Sequence, residues 1–149
     1  MLMAEIGIRH DLRPGDIGYL IYLVGSIYAR EYGMTLLNDI EIAQFLAHFA
    51  QHRHPEKDRL WIAETEEQIV GSVIIYEESP GVAHLRTLLL HPSVRGRGLG
   101  RQLMHLAVDF AREIGYQKIT LETFDELTAA LHLYRQFGFQ QTGERFHAE

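Results

Sequence analysis

The stretch HPSVRGRGLGRQLM, residues 91–104, decides how the rest of the chain reads. An apolar run, LRTLLL at residues 85–90, leads into it, and apolar residues at helical spacing follow it. Gly96, Gly98 and Gly100 stand two apart, which admits backbone turns and close approaches that a Cβ would block. A loop of that kind turns its N–H groups toward one guest, usually an anion. Read as R-x-x-G-x-G from Arg95, the pattern lies at a strand-to-helix junction. The amides from Gly96 to Arg101 then converge at the positive end of the helix, where a pyrophosphate is held without a metal. Two other phosphate motifs fail. No lysine follows Gly100, as a P-loop requires, and Arg101 stands where a dinucleotide fingerprint has its last glycine.

Upstream, Glu5 to Arg9 alternates as a first strand, and Pro14 introduces a helix to about Glu31 that Gly33 can end. Asn38 or Asp39 caps a second helix, with Ile42, Phe45, Leu46 and Phe49 at helical spacing, that stops before Pro55. Three strands follow, from Leu60 to Glu64, Gln68 to Glu77 and Ala83 to Leu90, the first two as a hairpin around Glu66 and Glu67. Beyond the loop, Leu99, Leu103, Leu106 and Phe110 mark one face of a helix ending near Gly115. A strand in YQKITLETF, a helix from Leu127 to Phe137 ended by Gly138, and a last strand from Phe139 to Glu144 complete the pattern. This order predicts one α/β domain over residues 1–149 with a mixed sheet.

With 46% of its 149 residues hydrophobic, the chain can bury a sizeable core. Its 14 basic and 20 acidic residues give a net charge of −6, which argues against general affinity for nucleic acid or anionic membranes. The arginine cluster is a local exception that suits a small anionic ligand. The absence of cysteine excludes disulfides, thiolate metal sites and a cysteine nucleophile, and points to the cytoplasm. The N-terminus lacks the pattern of a secretion signal, and IGYLIYLVGSIYA, residues 17–29, is too short to cross a bilayer and reads as a buried helix.

The segment LRTLLLHPSVRGRGLGRQLM, together with ALHLYRQFGF at residues 130–139, resembles the GNAT superfamily of acyl-CoA N-acyltransferases, and the element order matches along nearly the whole chain. In more detail, IYAREYGM and LETFDELTAALHLYRQFGF are similar to the acetyltransferase domain also found fused to MarR-type regulators; no such DNA-binding domain is expected within these 149 residues. The resemblance implies a mixed, mostly antiparallel twisted sheet with helices on both faces. Few residues follow Glu144, so the family's last strand must be short, missing, or supplied by a second copy in a homodimer.

The resemblance also implies acetyl-CoA as acyl donor. The loop matching Arg95, Gly96, Arg97, Gly98, Leu99, Gly100 and Arg101 grips the pyrophosphate through backbone amides, the Arg95 side chain helping by charge alone. The strand matching Leu88, Leu89 and Leu90 splays from its neighbour and offers unpaired backbone groups to the pantetheine, while its side chains belong to the core. Tyr134 matches a tyrosine that protonates the leaving sulfur; packing beside Leu127 and Leu131 is its plainer role. Glu122 matches a glutamate that, in some relatives acting on protein N-termini, serves as base through ordered water. Alternation with Ile119, Leu121 and Thr123 sets it on the opposite face of its strand. Glu31 competes for that role from the helical connection that lines the family's acceptor pocket.

Two departures qualify the match. Leu127 stands where many relatives have a cofactor-contacting asparagine, and the fourth-strand glutamate used elsewhere as base is missing, with Arg86 and Thr87 in that strand instead. His48, His52 and His54 approach metal-ligand spacing, yet no acidic partner completes a catalytic pattern, so a solvated helix end and no metal are expected. Without cysteine, direct attack of a primary amine, free or on a peptide, in a ternary complex is the simplest chemistry. A non-catalytic acyl-CoA-binding sensor is the alternative. The acidic balance and Tyr22, Tyr28 and Tyr32 favour a cationic acceptor.

Overall fold

In the strand of residues 59–64, Trp61 and Ala63 turn to one side while Leu60 and Ile62 turn to the other, and all four are buried. A strand covered on both faces needs helices on both faces. The computed structural model describes residues 5–66, 68–123, 127–142 and 145–148, the last stretch by its backbone. Its elements are β1 (Gly7–Arg9), α1 (Asp16–Tyr32), α2 (Leu36–His52), β2 (Arg59–Glu64), β3 (Ile69–Ser79), β4 (Val82–Leu90), α3 (Leu99–Ile114), β5 (Lys118–Glu122), α4 (Thr128–Gln136), β6 (Gln140–Thr142) and β7 (Arg145–Ala148). The sheet order is β1-β2-β3-β4-β5-β7-β6, antiparallel except for β4 beside β5. Leu20, Leu23, Val24 and Ile27 of α1 and Ile42, Leu46 and Phe49 of α2 cover one face, and α3 and α4 cover the other. The α/β class, the mostly antiparallel sheet and the short last strand agree with expectation.

Three features differ. Thr35, with extended backbone, precedes α2, so Asn38 and Asp39 fall in its first turn instead of capping it. The Asp39 carboxylate faces α1 at Gly25, where a Cβ would come within 2.6 Å of it. On α3 the buried stripe is Leu99, Leu103, Met104, Ala107, Phe110 and Ala111; the small alanines let the helix lie close, and Leu106 turns outward at 36% exposure. The expected last strand from Phe139 to Glu144 is the shorter β6, and a further strand, β7, follows it in the chain and lies between β5 and β6. Glu67, Phe124 and Glu144, which those expectations included, lie outside the described residues.

The feature that positions the site is a fork. β4 pairs with β5 only from Val82↔Lys118 to His84↔Thr120, and beyond that rung the two strands have no ladder among the described residues. On its other edge β4 carries a bulge, with Thr87 and Leu88 opposite Val73 alone. Thr87 sits at φ 58, a left-handed conformation costing about 1–3 kcal/mol in a β-branched residue, and Ser72 Oγ donates to its carbonyl at 2.8 Å. The bulge inverts parity. Leu85 faces the α3 side, and after it Leu88 and Leu90 do so while Leu89 packs beneath α1 and α2.

Candidate active site

Beyond the end of β4 a 3₁₀ turn, Pro92–Val94, leads into the glycine loop. Arg95 is extended (φ −71, ψ 154), Gly96 takes a positive φ of 78, and Gly98 at φ 80 caps α3. The first bond of the helix runs from the Gln102 N–H to the Gly98 carbonyl at 3.0 Å. Among the described residues no acceptor meets the N–H groups of Gly98, Leu99, Gly100 and Arg101, and no side chain caps them. These orphaned donors at a helix N-terminus fit the diphosphate that the Gly/Arg spacing predicts. The cradle is backbone, and Leu99 anchors it by burial beneath α3.

The arginines of the loop divide. Arg95 donates from Nε and Nη2 to the Leu90 carbonyl at 3.3 and 3.2 Å and from Nη1 to Glu31 Oε1 at 2.7 Å. Its side chain therefore clips the end of β4 to the C-terminal turn of α1, a role more specific than charge alone. It also occupies one of the β4 carbonyls expected to be open. Arg101 donates to Gln136 Oε1 of α4 at 2.5 Å, and Arg97 is exposed with no ion pair among the described residues.

Tyr134, on α4, is 6% exposed and packs with Phe139 at a ring separation of 6.0 Å. Its hydroxyl has no hydrogen-bond partner among the described residues. Burial raises its pKa strongly, and the Tyr28 phenol of α1 adds to the shift. Tyr134 packs with the α3 side and Tyr28 with the α1 side, so the two phenols sense each other across the sheet.

Glu122 ends β5 on the face opposite Ile119 and Leu121, as alternation predicts, and its side chain is exposed. Glu31 is drawn to Arg95 and away from any solitary basic role. The structure thus separates the two candidate bases, with Glu31 on the loop clip and Glu122 on the α1/α2 face of the fork.

Sequence reasoning passed over one chain of groups. His84, 6% exposed on the last β4–β5 rung, meets Thr120 Oγ1 through Nδ1 at 2.7 Å, and Thr120 donates to Glu78 Oε2 at 2.9 Å. A hydroxyl that gives its proton to a carboxylate receives from the imidazole, which fixes the proton on Nδ1. Tyr76 lies beside it, with ring centroids 5.4 Å apart. Burial raises the Tyr76 pKa against the pull of the Arg86 guanidinium, while Glu78 and Glu122 push it further up. A buried imidazole is thereby joined to a partly exposed carboxylate beside the paired end of β4 and β5. The signal was legible as the histidine of AHLRTLLL, but its partners come from other strands.

His48 and His52 stack at 4.3 Å on the exposed end of α2. Among the described residues no group of three acidic or histidine side chains could hold a metal, and no helix is long and apolar enough to cross a membrane.

The model of the acetyltransferase (GNAT) family matches residues 22–139. Over 91 residues the chain is 36% identical to N-acetyltransferase 8B of Homo sapiens; the match covers 58% of this chain and 40% of the human one. The chain thus spans about two fifths of the length of such mammalian relatives. A GNAT-family acetyltransferase from Staphylococcus aureus Mu50 superposes with a TM-score of 0.82 at 18% identity, covering 96% of this chain and 98% of that one. The PaiA N-acetyltransferase of Thermoplasma acidophilum, solved in complex with coenzyme A, superposes with a TM-score of 0.73 at 16% identity, covering 96% of each.

Proposed function

The chain belongs to the acetyltransferase (GNAT) family, and on that premise we propose that it moves an acetyl group from acetyl-CoA to a primary amine by direct attack in a ternary complex. The observation that carries the reading is the fork. Among the described residues, a strand edge without a ladder partner past His84 leads to orphaned N–H donors at Gly98 to Arg101, which suits a slot for pantetheine followed by an anchor for diphosphate. Residues 1–149 are taken as one such domain, acting in the cytoplasm, with the MarR-associated acetyltransferases as its subtype on the residues quoted above.

Acetyl-CoA supplies the acyl group as a thioester. The amine nitrogen forms the new C–N bond as the C–S bond breaks; Tyr134 gives its proton to the departing sulfur, and Glu122 takes the proton of the amine through water. A raised pKa keeps Tyr134 protonated throughout the neutral range, as a general acid requires. A backbone N–H of the Leu88 to Leu90 strand polarises the carbonyl. Leu127 places no polar group on the cofactor, which favours the sensor as second reading.

Tyr134→Phe tests the assignment because it deletes a hydroxyl without a partner among the described residues and keeps the packing. The rate constant should fall by about two to four orders of magnitude with acetyl-CoA affinity unchanged. Full activity would return Tyr134 to the core.

A further inference from the structure

Arg86 lies on β4 two residues past the last rung with β5 and shares a face with His84. Its guanidinium rests 3.9 Å from the centre of the Phe45 ring of α2, beside the Tyr76 phenol of β3. The residue is half-buried, and among the described residues no carboxylate forms an ion pair with it. Arg9, the best-buried arginine of the ion pairs, is by contrast held by Asp16 and Glu64. Arg59 shows that an arginine of this chain can also rest on rings alone, over Trp61 and Phe110, so lack of a partner is not by itself a site. Position distinguishes Arg86. Its charge reaches Tyr28, which in turn reaches Tyr134, and Tyr76 senses Arg86, Glu78 and Glu122 together. One guanidinium and two carboxylates therefore surround the Tyr76 phenol at the point where β4 and β5 part.

We propose that Arg86 holds a carboxylate of the acceptor, so that the amine substrate is an amino acid or an amino-acid derivative with its carboxylate free. The inference rests on the acetyltransferase reading and names its substrate class. A planar guanidinium takes a carboxylate through paired N–H donors, and a partly desolvated site strengthens that contact. Glu122, exposed at the end of β5 and felt by the same Tyr76 phenol, complements the ammonium of the same zwitterion. This replaces the simple cation expected from the overall charge, because the local field at the fork has both signs.

The test is steady-state acetylation of a panel of α-amino acids, each against its own carboxamide and its decarboxylated amine, by the wild type, Arg86→Gln and Arg86→Lys. In the wild type kcat/KM for the amino acid should exceed that for the carboxamide by roughly 10- to 100-fold, and in Arg86→Gln the ratio should fall toward one. Arg86→Lys, which keeps a charge on a flexible stem, should retain an intermediate ratio. The ratio is read within each variant, so a general loss of activity from disturbed packing on Phe45 cancels. Acetylation of amines with no preference for the carboxylate, or a preference untouched by Arg86→Gln, overturns the proposal and leaves the acetyltransferase standing. Failure to acetylate any amine overturns both.

Discussion

Gly98→Ala separates the cradle from the fold better than any other single change. Gly98 holds φ 80 and ψ 5, and no atom lies within 4 Å of the position a Cβ would take. The cost to the fold is therefore conformational: about 1–2 kcal/mol for a left-handed L-residue, offset by about 0.4–1 kcal/mol from a stiffer unfolded chain. A net loss near 1 kcal/mol lowers Tm by roughly 2–4 °C in a domain of this size. Binding should suffer more. The new methyl faces open space at the mouth of the cradle, and a turned peptide misaims a charge-assisted hydrogen bond worth about 1.5–3 kcal/mol, or roughly 10- to 150-fold in Kd. Gly100→Ala is the internal control. It lies within α3, its Cβ would meet Leu90 and Leu133 at an ordinary 3.5 Å, and helix propensity alone should raise stability by about 0.5–1 kcal/mol. Valine at either position should weaken binding as well, at Gly100 by crowding those leucines. Calorimetric titration with acetyl-CoA and thermal denaturation without ligand give both numbers. A folded Gly98→Ala protein with unchanged affinity would refute the cradle.

Other consequences follow from the ion pairs and the hydrogen-bonded chain. Glu122→Gln should slow turnover more than Glu31→Gln, with partial recovery at higher pH because the amine then arrives neutral; the reverse order would move the base to the helical connection. Arg95→Ala, by releasing Leu90 from α1, should weaken acetyl-CoA binding less than Gly98→Ala does; an equal or larger effect would give its side chain a direct part in the cradle. Thr120→Val removes the hydroxyl that links the buried His84 to Glu78 and should cost about 1–3 kcal/mol by urea denaturation; no loss would mean that the chain is not maintained in solution. The hydrogen bond from Arg9 holds the Asp16 carboxyl below the ordinary range, so this stabilisation is complete above the unfolded pKa of about 3.9 and is lost as pH falls through the depressed folded value. Asp16→Asn should flatten the acid limb of the stability profile, and an unaltered limb would remove Asp16 as its source.

What the residues made legible depends on how local the cause is. The loop, its flanking strand and its helix could be read because glycine spacing, apolar runs and helical periodicity act over a few neighbouring residues. Thr87 could not, since a β-branched residue at positive φ opposes local preference and is held there by Ser72, 15 positions away. The chain from His84 to Glu78 escaped for a related reason: its links join residues 36 and 42 positions apart, and only strand register brings them together. Leu106 was misplaced because two helical stripes are open to α3, and contact with the sheet selects the one containing Ala107 and Ala111. Arg95 was recognisable as part of a motif, but the Leu90 carbonyl and Glu31 that engage it belong to elements outside that motif.

The central claim is amine-dependent acetyl transfer, and the most direct measurement follows free thiol release from acetyl-CoA together with the mass of the acceptor. The account predicts thiol release that needs both protein and amine, matched by one acetyl group gained per acceptor and none left on the protein. Tight binding of acetyl-CoA without turnover on any amine would contradict it and make the chain an acyl-CoA sensor.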